Sequence, residues 1–308
     1  MESRRAIVQR RSILALFGAG LIGCSQSAPR NERAKTATPN AGWQEASFDP
    51  DGDQPDGQRA AVFAPEGSAD WPVLVALHGR GEAGRGLDAG ARGWRDDYDL
   101  DLVRERLEKG ELAEADVHAM LSDTRLASIR ASLSASPWKG VVVACPYTPI
   151  PSGHEPKDWA PFGSFLSHRL LPKVAEMKKG SVDSNATGID GVSMGGRWAL
   201  DLGFAMPEVW ASVGALQPAI RVEEAATIAD RAASASEKRK QKIRLVSSAE
   251  DPFLEPTMAL AKELEARKIE HQLIVTAGPH DYIWNRGPGS AELLVYHERV
   301  LRGLSPPT

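Results

Sequence analysis

Gly191-Val192-Ser193-Met194-Gly195, extended by Gly196, sets a serine between glycines in the pattern G-x-S-x-G. A serine hydroxyl is a poor nucleophile until a neighbouring base takes its proton. With that base it attacks a carbonyl carbon and carries the acyl group as a covalent intermediate. The apolar run 187–191 leads into the motif, and a helical pattern at 195–205, stopped by Pro207, leads out of it. A strand turning sharply into a helix holds the serine Oγ out at the carboxyl end of a sheet. The glycines keep side chains out of that turn. The N–H groups of the following helix then face negative charge developing on the substrate.

The elements that must position such a serine follow from periodicity. Apolar residues run without a break at 73–77 and 141–145, and 187–191, 211–216, 243–246 and 271–276 read as further strands of the same kind. That predicts central strands covered on both faces. Helical spacing appears at 165–179, where Pro172 bends or delays it, and at 195–205, 257–266 and 291–301, the last capped by Ser290. Strands alternating with helices predict an α/β fold, a mostly parallel sheet with helices on both faces. Residues 42–48 and 60–64 read as two further strands around a turn at 49–57. That acidic turn is not a calcium loop, because Gln54 stands where an EF-hand needs glycine and no Glu occupies the twelfth position from Asp49. A long segment, 81–138, separates the runs at 73–77 and 141–145 and carries helical patterns at 100–109, 111–121 and 123–133. Its high charge fits a solvated insertion, and its place after His78-Gly79 fits a cap or a substrate-shaping wall.

Leu77-His78-Gly79, the stretch 191–196, Asp251-Pro252-Phe253 and His280-Asp281 together make residues 42–302 resemble the α/β-hydrolases. The resemblance is to esterases of the esterase D, enterochelin esterase and polyhydroxyalkanoate depolymerase type. It implies an α/β-hydrolase fold, a small-molecule carboxylic ester as substrate, an acyl-enzyme on Ser193, and neither cofactor nor metal. In this fold the base follows the nucleophile in chain order, which leaves His271, His280 and His297. His271 begins a strand and His297 lies inside the last helix, whereas His280 falls in the loop after the last strand. The acid belongs to the turn after the preceding strand, where Glu250 and Asp251 are neighbours; Glu223 and Glu224 are more distant. The Asp-x-Phe pattern of related esterases implies Asp251, which would fix the imidazole tautomer and stabilise its cation. The oxyanion hole would take one N–H from Met194 and another from Gly79 or Arg80, with Gly81 leaving that loop room to turn. His78 reads as a brace for the loop. The guanidinium groups of Arg80 and Arg85 would suit an acidic substrate. Trp94, Tyr98, Trp159 and Trp284 are either pocket or core, and Trp284, close after His280, is the foremost substrate-binding candidate. Serine chemistry alone does not separate an ester hydrolase from a peptidase or acyltransferase using the same triad. A non-catalytic envelope binding protein on a hydrolase scaffold is the alternative of a different class, and the intact Ser, His and acid argue against it.

The chain has 308 residues, 42% of them hydrophobic, enough for a large buried core. A formal charge of −4 and the lack of a basic stripe give no reason to expect a nucleic-acid partner. Arg4, Arg5, Arg10 and Arg11 precede an apolar stretch at 13–23, too short to span a bilayer comfortably. Residues 1–23 therefore read as a signal peptide, and Arg10-Arg11 resembles the twin-arginine export signal. Leu21-Ile22-Gly23-Cys24 resembles a bacterial lipobox. That implies export, lipidation of Cys24 and a membrane anchor, with Ser25 rather than Asp favouring the periplasmic side of the outer membrane. Residues 25–41 read as a flexible polar tether and 42–304 as the folded domain. Cys145, inside an apolar run, is expected to be a buried small hydrophobe, so no internal disulfide forms.

Overall fold

Eight strands form one sheet: β1 (Trp43–Phe48), β2 (Gln58–Phe63), β3 (Val73–Leu77), β4 (Val142–Pro146), β5 (Thr187–Gly191), β6 (Ser212–Leu216), β7 (Lys242–Glu250) and β8 (His271–Pro279). Their spatial order is β1-β2-β4-β3-β5-β6-β7-β8. β1 and β2 are antiparallel, β2 runs antiparallel to β4, and every later pair is parallel. The computed structural model describes residues 41–308. The expected signal peptide, Cys24 and nearly all of the tether lie outside the described residues.

Because side chains alternate across a strand, the two apolar faces of β3 serve two cores. Val73, Val75 and Leu77 face one core, with the helices Met194–Ala205, Ala225–Lys238 and Leu254–Ala266. Leu74 and Ala76 face the other, with Leu100, Val103, Leu107, Ile129 and the last helix, Ser290–Leu301. Right-handed crossovers explain the division. β3 steps to β4 in one direction, whereas β4 to β5 and each later step run in the other, so their connections fall on opposite faces. The reversal also opens the sheet's carboxyl edge beside β3 and β5, where ligand sites of open α/β sheets form.

The 81–138 segment is the first of these crossovers. Its helices Leu100–Lys109 and Asp123–Ala135 cover one face of the sheet. The solvated-insertion reading is corrected: a few well-spaced apolar residues suffice for a one-sided stripe, whatever the mean composition. The helix expected at 111–121 is only the short 3₁₀ turn Glu114–Val117, because His118 and Ala119 take positive φ (51° and 55°) and end it.

Other boundaries shift for physical reasons. β7 outruns its apolar stretch because Ser247 and Ser248 are buried but hydrogen-bonded, and β8 continues beside it to pair Pro279 with Glu250. The sequence reading does not include Ala225–Lys238, although its buried stripe of Ala225, Ile228, Ala229, Ala232 and Ala235 keeps helical spacing. The helix expected from 165 starts at Pro156 and widens to a π-turn at Leu166–Leu170. Pro172 has no N–H to return to the preceding turn, and the ladder loosens there. Ser290 is not a cap: it is the first residue of Ser290–Leu301, which continues from a π-turn at Asn285–Gly289. Its single hydroxyl proton is instead shared between the Tyr98 and Asn285 carbonyls.

Candidate active site

Ser193 sits between the end of β5 and Met194–Ala205 with φ 78° and ψ −107°. A non-glycine residue held there stores roughly 1–3 kcal/mol of strain, which the surroundings impose. The Ser193 N–H donates to the Leu216 carbonyl at 2.9 Å, and the Ser193 carbonyl accepts from Ala219 and Arg197 at 2.9 and 3.0 Å. The motif glycines are steric requirements. A Cβ on Gly195 would lie 2.3 Å from the Leu77 carbonyl oxygen, and one on Gly191 would lie 2.5 Å from the Gly195 carbonyl carbon. The turn therefore packs directly on β3, the strand that leads to His78-Gly79.

His280 leaves β8 and turns its ring back across the sheet edge. Its Nε2 lies 3.0 Å from Ser193 Oγ and its Nδ1 lies 2.9 Å from Asp251 Oδ1. A carboxylate only accepts, so Nδ1 carries the proton and Nε2 is left to accept from the serine. The Asp251 side chain is fully buried, while His280 keeps 23% exposure. Asp251 also accepts from Ser247 Oγ at 2.5 Å and from the Phe253 N–H at 3.0 Å. Glu250 ends β7 exposed to solvent. Glu223 and Glu224 pair with Arg221, and Glu224 also with Arg197. Of the other histidines, His297 is buried between Asp190 and Ser212, and the His271 ring bonds to the Ile269 carbonyl.

Of the three N–H groups expected for an oxyanion hole, two are left without an acceptor among the described residues. Neither Met194 N–H nor Arg80 N–H has an acceptor among the described residues. Gly79 N–H is corrected as a candidate, because it is already given to Tyr98 Oη at 3.2 Å. His78 is a brace. Its Nε2 accepts the Thr148 N–H at 2.8 Å, so its Nδ1 donates to the Gly79 carbonyl at 2.9 Å. Burial pushes the His78 pKa down to about 4, and the ring stays neutral at ordinary pH.

Trp284 is corrected from pocket to core. It is fully buried, and its indole N–H donates to Thr276 Oγ1 at 2.7 Å. Trp94 and Tyr98 are buried as well, and Trp159 packs against the edge of the larger core. Arg85 is tied to Asp97, whose hydrogen-bonded carboxylate raises its pKa. Arg80 is exposed, and its guanidinium has no partner among the described residues. Gln217 is absent from the sequence reading; it is buried at φ 45°, and its amide ties Ser248 at 2.7 Å to the Pro279 carbonyl at 3.2 Å and so joins the acid strand to the base loop. A polar residue at the end of an apolar strand was the only available signal. No group of three or more His, Cys, Asp or Glu among the described residues is placed to hold a metal ion.

Residues 59–286 match the family described as “Putative esterase”. No curated protein matches the sequence. Among solved structures, the chain is similar to a ferulic acid esterase (TM-score 0.61, 15% identity, 84% of this chain and 98% of that one). It is also similar to the CE1 ferulic acid esterase of the anaerobic fungus Anaeromyces mucronatus (TM-score 0.57, 18% identity, 88% and 93%). A third is the S-formylglutathione hydrolase of Staphylococcus aureus (TM-score 0.53, 12% identity, 83% and 98%). Identities this low speak for a shared α/β-hydrolase fold.

Proposed function

Since the chain belongs to the esterase family and is an ester-cleaving serine hydrolase, we propose that Ser193, His280 and Asp251 carry the reaction. Ser193 Oγ attacks the ester carbonyl carbon as His280 Nε2 takes its proton. The oxygen that gains the negative charge faces the N–H groups of Arg80 and Met194. The bond to the leaving alcohol then breaks, and His280 returns the proton to that alcohol. Water repeats the sequence on the acyl-enzyme and releases the acid and Ser193. Asp251 keeps the imidazole in the productive tautomer. The observation that carries this reading is the continuous chain Ser193 Oγ–His280–Asp251 at 3.0 and 2.9 Å. Labelling with a fluorophosphonate tests it: one phosphonyl group on Ser193, with concurrent loss of p-nitrophenyl ester hydrolysis, is the expected result. Label elsewhere, with Ser193 unmodified, sinks the assignment.

Arg80 supplies a preference for esters bearing a carboxylate. Every other arginine among the described residues is held by a carboxylate or a carbonyl, as with Arg85, Arg197, Arg221 and Arg286 near the site. Arg80 stands unpaired on the loop that presents its own N–H. An exposed ion pair changes selectivity modestly, about fivefold. The measured quantity is the kcat/KM ratio for mono-p-nitrophenyl glutarate over p-nitrophenyl butyrate. It should fall about fivefold in Arg80→Gln and recover in part in Arg80→Lys; an unchanged ratio removes the role.

The protein works from a lipid anchor in the cell envelope, a reading supported by the sequence Leu21-Ile22-Gly23-Cys24 after a basic start. Cys24→Ser should move it from the membrane fraction to the soluble fraction of the producing cells. Retention in the membrane fraction would count against lipidation at Cys24.

A further inference from the structure

A second polar cluster lies beneath the oxyanion loop, and the reaction makes no direct use of it. Glu82, in the helical turn Arg80–Ala83, is buried, and so is Tyr98. The Tyr98 hydroxyl donates to Glu82 Oε2 and accepts the Gly79 N–H at 3.2 Å. A phenol has one proton. Once the carboxylate has claimed it, the hydroxyl can offer Gly79 only its lone pair. Glu82 thus sets the polarity of the contact as well as its direction. The packing allows little slack: a Cβ on Gly93 would lie 2.7 Å from Glu82 Cγ, and one on Gly79 would lie 3.2 Å from Glu82 Oε2 and 3.3 Å from Tyr98 Oη.

The effect reaches the Arg80 N–H through peptide geometry. In a planar trans peptide the C=O and the following N–H point in opposite directions. His78 Nδ1 draws the Gly79 carbonyl inward at 2.9 Å, which turns the Arg80 N–H outward. Tyr98 holds the N–H of the peptide on the other side of Gly79. With both planes fixed, Gly79 keeps φ −78° and ψ −179°, although a glycine is free to take many other conformations. Tyr282, two residues past His280, packs at a tilt against Tyr98 with centroids 5.9 Å apart and ring planes 47° apart, and its phenol pKa is raised by burial and then by the same Glu82 carboxylate. The cluster therefore touches both the loop with the oxyanion donor and the loop with the base.

We propose that Tyr98, oriented by the buried Glu82 carboxylate, is a positioning residue that aims the Arg80 N–H at the developing oxyanion. This deepens the hydrolase reading above and rests on it. Preorganised donors act on the transition state more than on the bound ester, so the clamp is read in kcat and in the affinity for transition-state mimics.

The test compares the parent with Tyr98→Phe, which loses the hydroxyl and keeps the ring. Rates are expressed per active site titrated with fluorophosphonate, which removes any effect of misfolded protein. The expected result is a fall in kcat for p-nitrophenyl acetate of about 10- to 100-fold, with KM within about twofold. Affinity for a trifluoromethyl ketone, which places an oxyanion in the hole, should weaken in proportion. A purely architectural tyrosine would lower the melting temperature and the active fraction but leave these per-site values alone. Should Tyr98→Phe fail to fold, Glu82→Gln is read in the same way. It should show a smaller fall of the same kind, because the amide oxygen still accepts the Tyr98 proton without a full charge. Per-site kcat and ketone affinity within twofold of the parent overturn the clamp. Ser193→Ala, run alongside, separates the two ideas. Turnover that survives it overturns the hydrolase reading, whereas Ser193-dependent turnover indifferent to Tyr98→Phe overturns the clamp alone.

Discussion

Ser193→Ala should lower kcat for p-nitrophenyl acetate by about four to six orders of magnitude, and His280→Ala should do nearly the same. The two losses should not add. Once the nucleophile is gone the base has nothing to activate, so the double variant should match either single one. Asp251→Asn should cost about 10⁴, because the amide no longer holds His280 with its proton on Nδ1. The structure gives that substitution a particular force. Asp251 is fully buried and also accepts from Ser247 and Phe253, so no water replaces the lost acceptor. Glu250→Gln, one residue earlier on the exposed end of β7, should leave turnover within about twofold, as surface changes away from such features usually do. Steady-state kinetics on the four single variants and the double variant decides the matter. Activity that survives Ser193→Ala removes the nucleophile, and a large loss in Glu250→Gln with little in Asp251→Asn would exchange the two acids.

The largest stability effect is expected at Arg244. This residue lies on β7 with no exposure, donates to Asp190 Oδ2 at 3.0 Å and reaches Glu292 Oε2 at 3.3 Å. Its guanidinium lies 4.4 Å from the centre of the Tyr296 ring. Glu292 is also held by Arg125 at 2.8 and 2.7 Å, and Asp190 by His297 at 2.9 Å. Burial pushes the His297 pKa down, which leaves Arg244 as the full positive charge beside Asp190. Arg244→Met would strand that carboxylate in the core, at a cost of about 3–5 kcal/mol. Urea unfolding at neutral pH measures it. Adding Asp190→Asn to Arg244→Met should recover part of the loss, because the stranded charge is then gone. A single-variant loss below about 1 kcal/mol would show that the network is not the brace described. The position matters to the site: Asp190 precedes the turn that carries Ser193, and Arg244 sits on the strand that leads to Asp251. Weakening the pair should loosen nucleophile and acid together.

The sequence by itself determined the sheet, the serine turn and the loop that brings the base. Continuous apolar runs and a glycine-flanked serine are local signals. They report burial and backbone conformation over a few residues: the apolar run places β3, and the glycine-flanked serine places the end of β5 and the helix Met194–Ala205. His280 was legible because a loop after the last strand can only emerge at the carboxyl edge. Ala225–Lys238 was legible but passed over: Ala225, Ile228, Ala229, Ala232 and Ala235 keep helical spacing against the polar Asp230, Ser234 and Glu237, yet alanine makes a faint stripe to the eye. Residue spacing left Glu250 and Asp251 both open, the family resemblance implied Asp251, and the tertiary structure shows it turned inward to His280. Glu250 points out at the end of the strand, and the turn that follows carries Asp251 into the core, where Ser247 meets it. Tertiary structure alone decided that Gly79 spends its N–H on Tyr98, that Trp284 belongs to the core, and that Asp97 neutralises Arg85. Each of these depends on a partner distant in the chain or facing across a turn. Residue spacing carries no record of which donor reaches which acceptor once the chain has closed on itself.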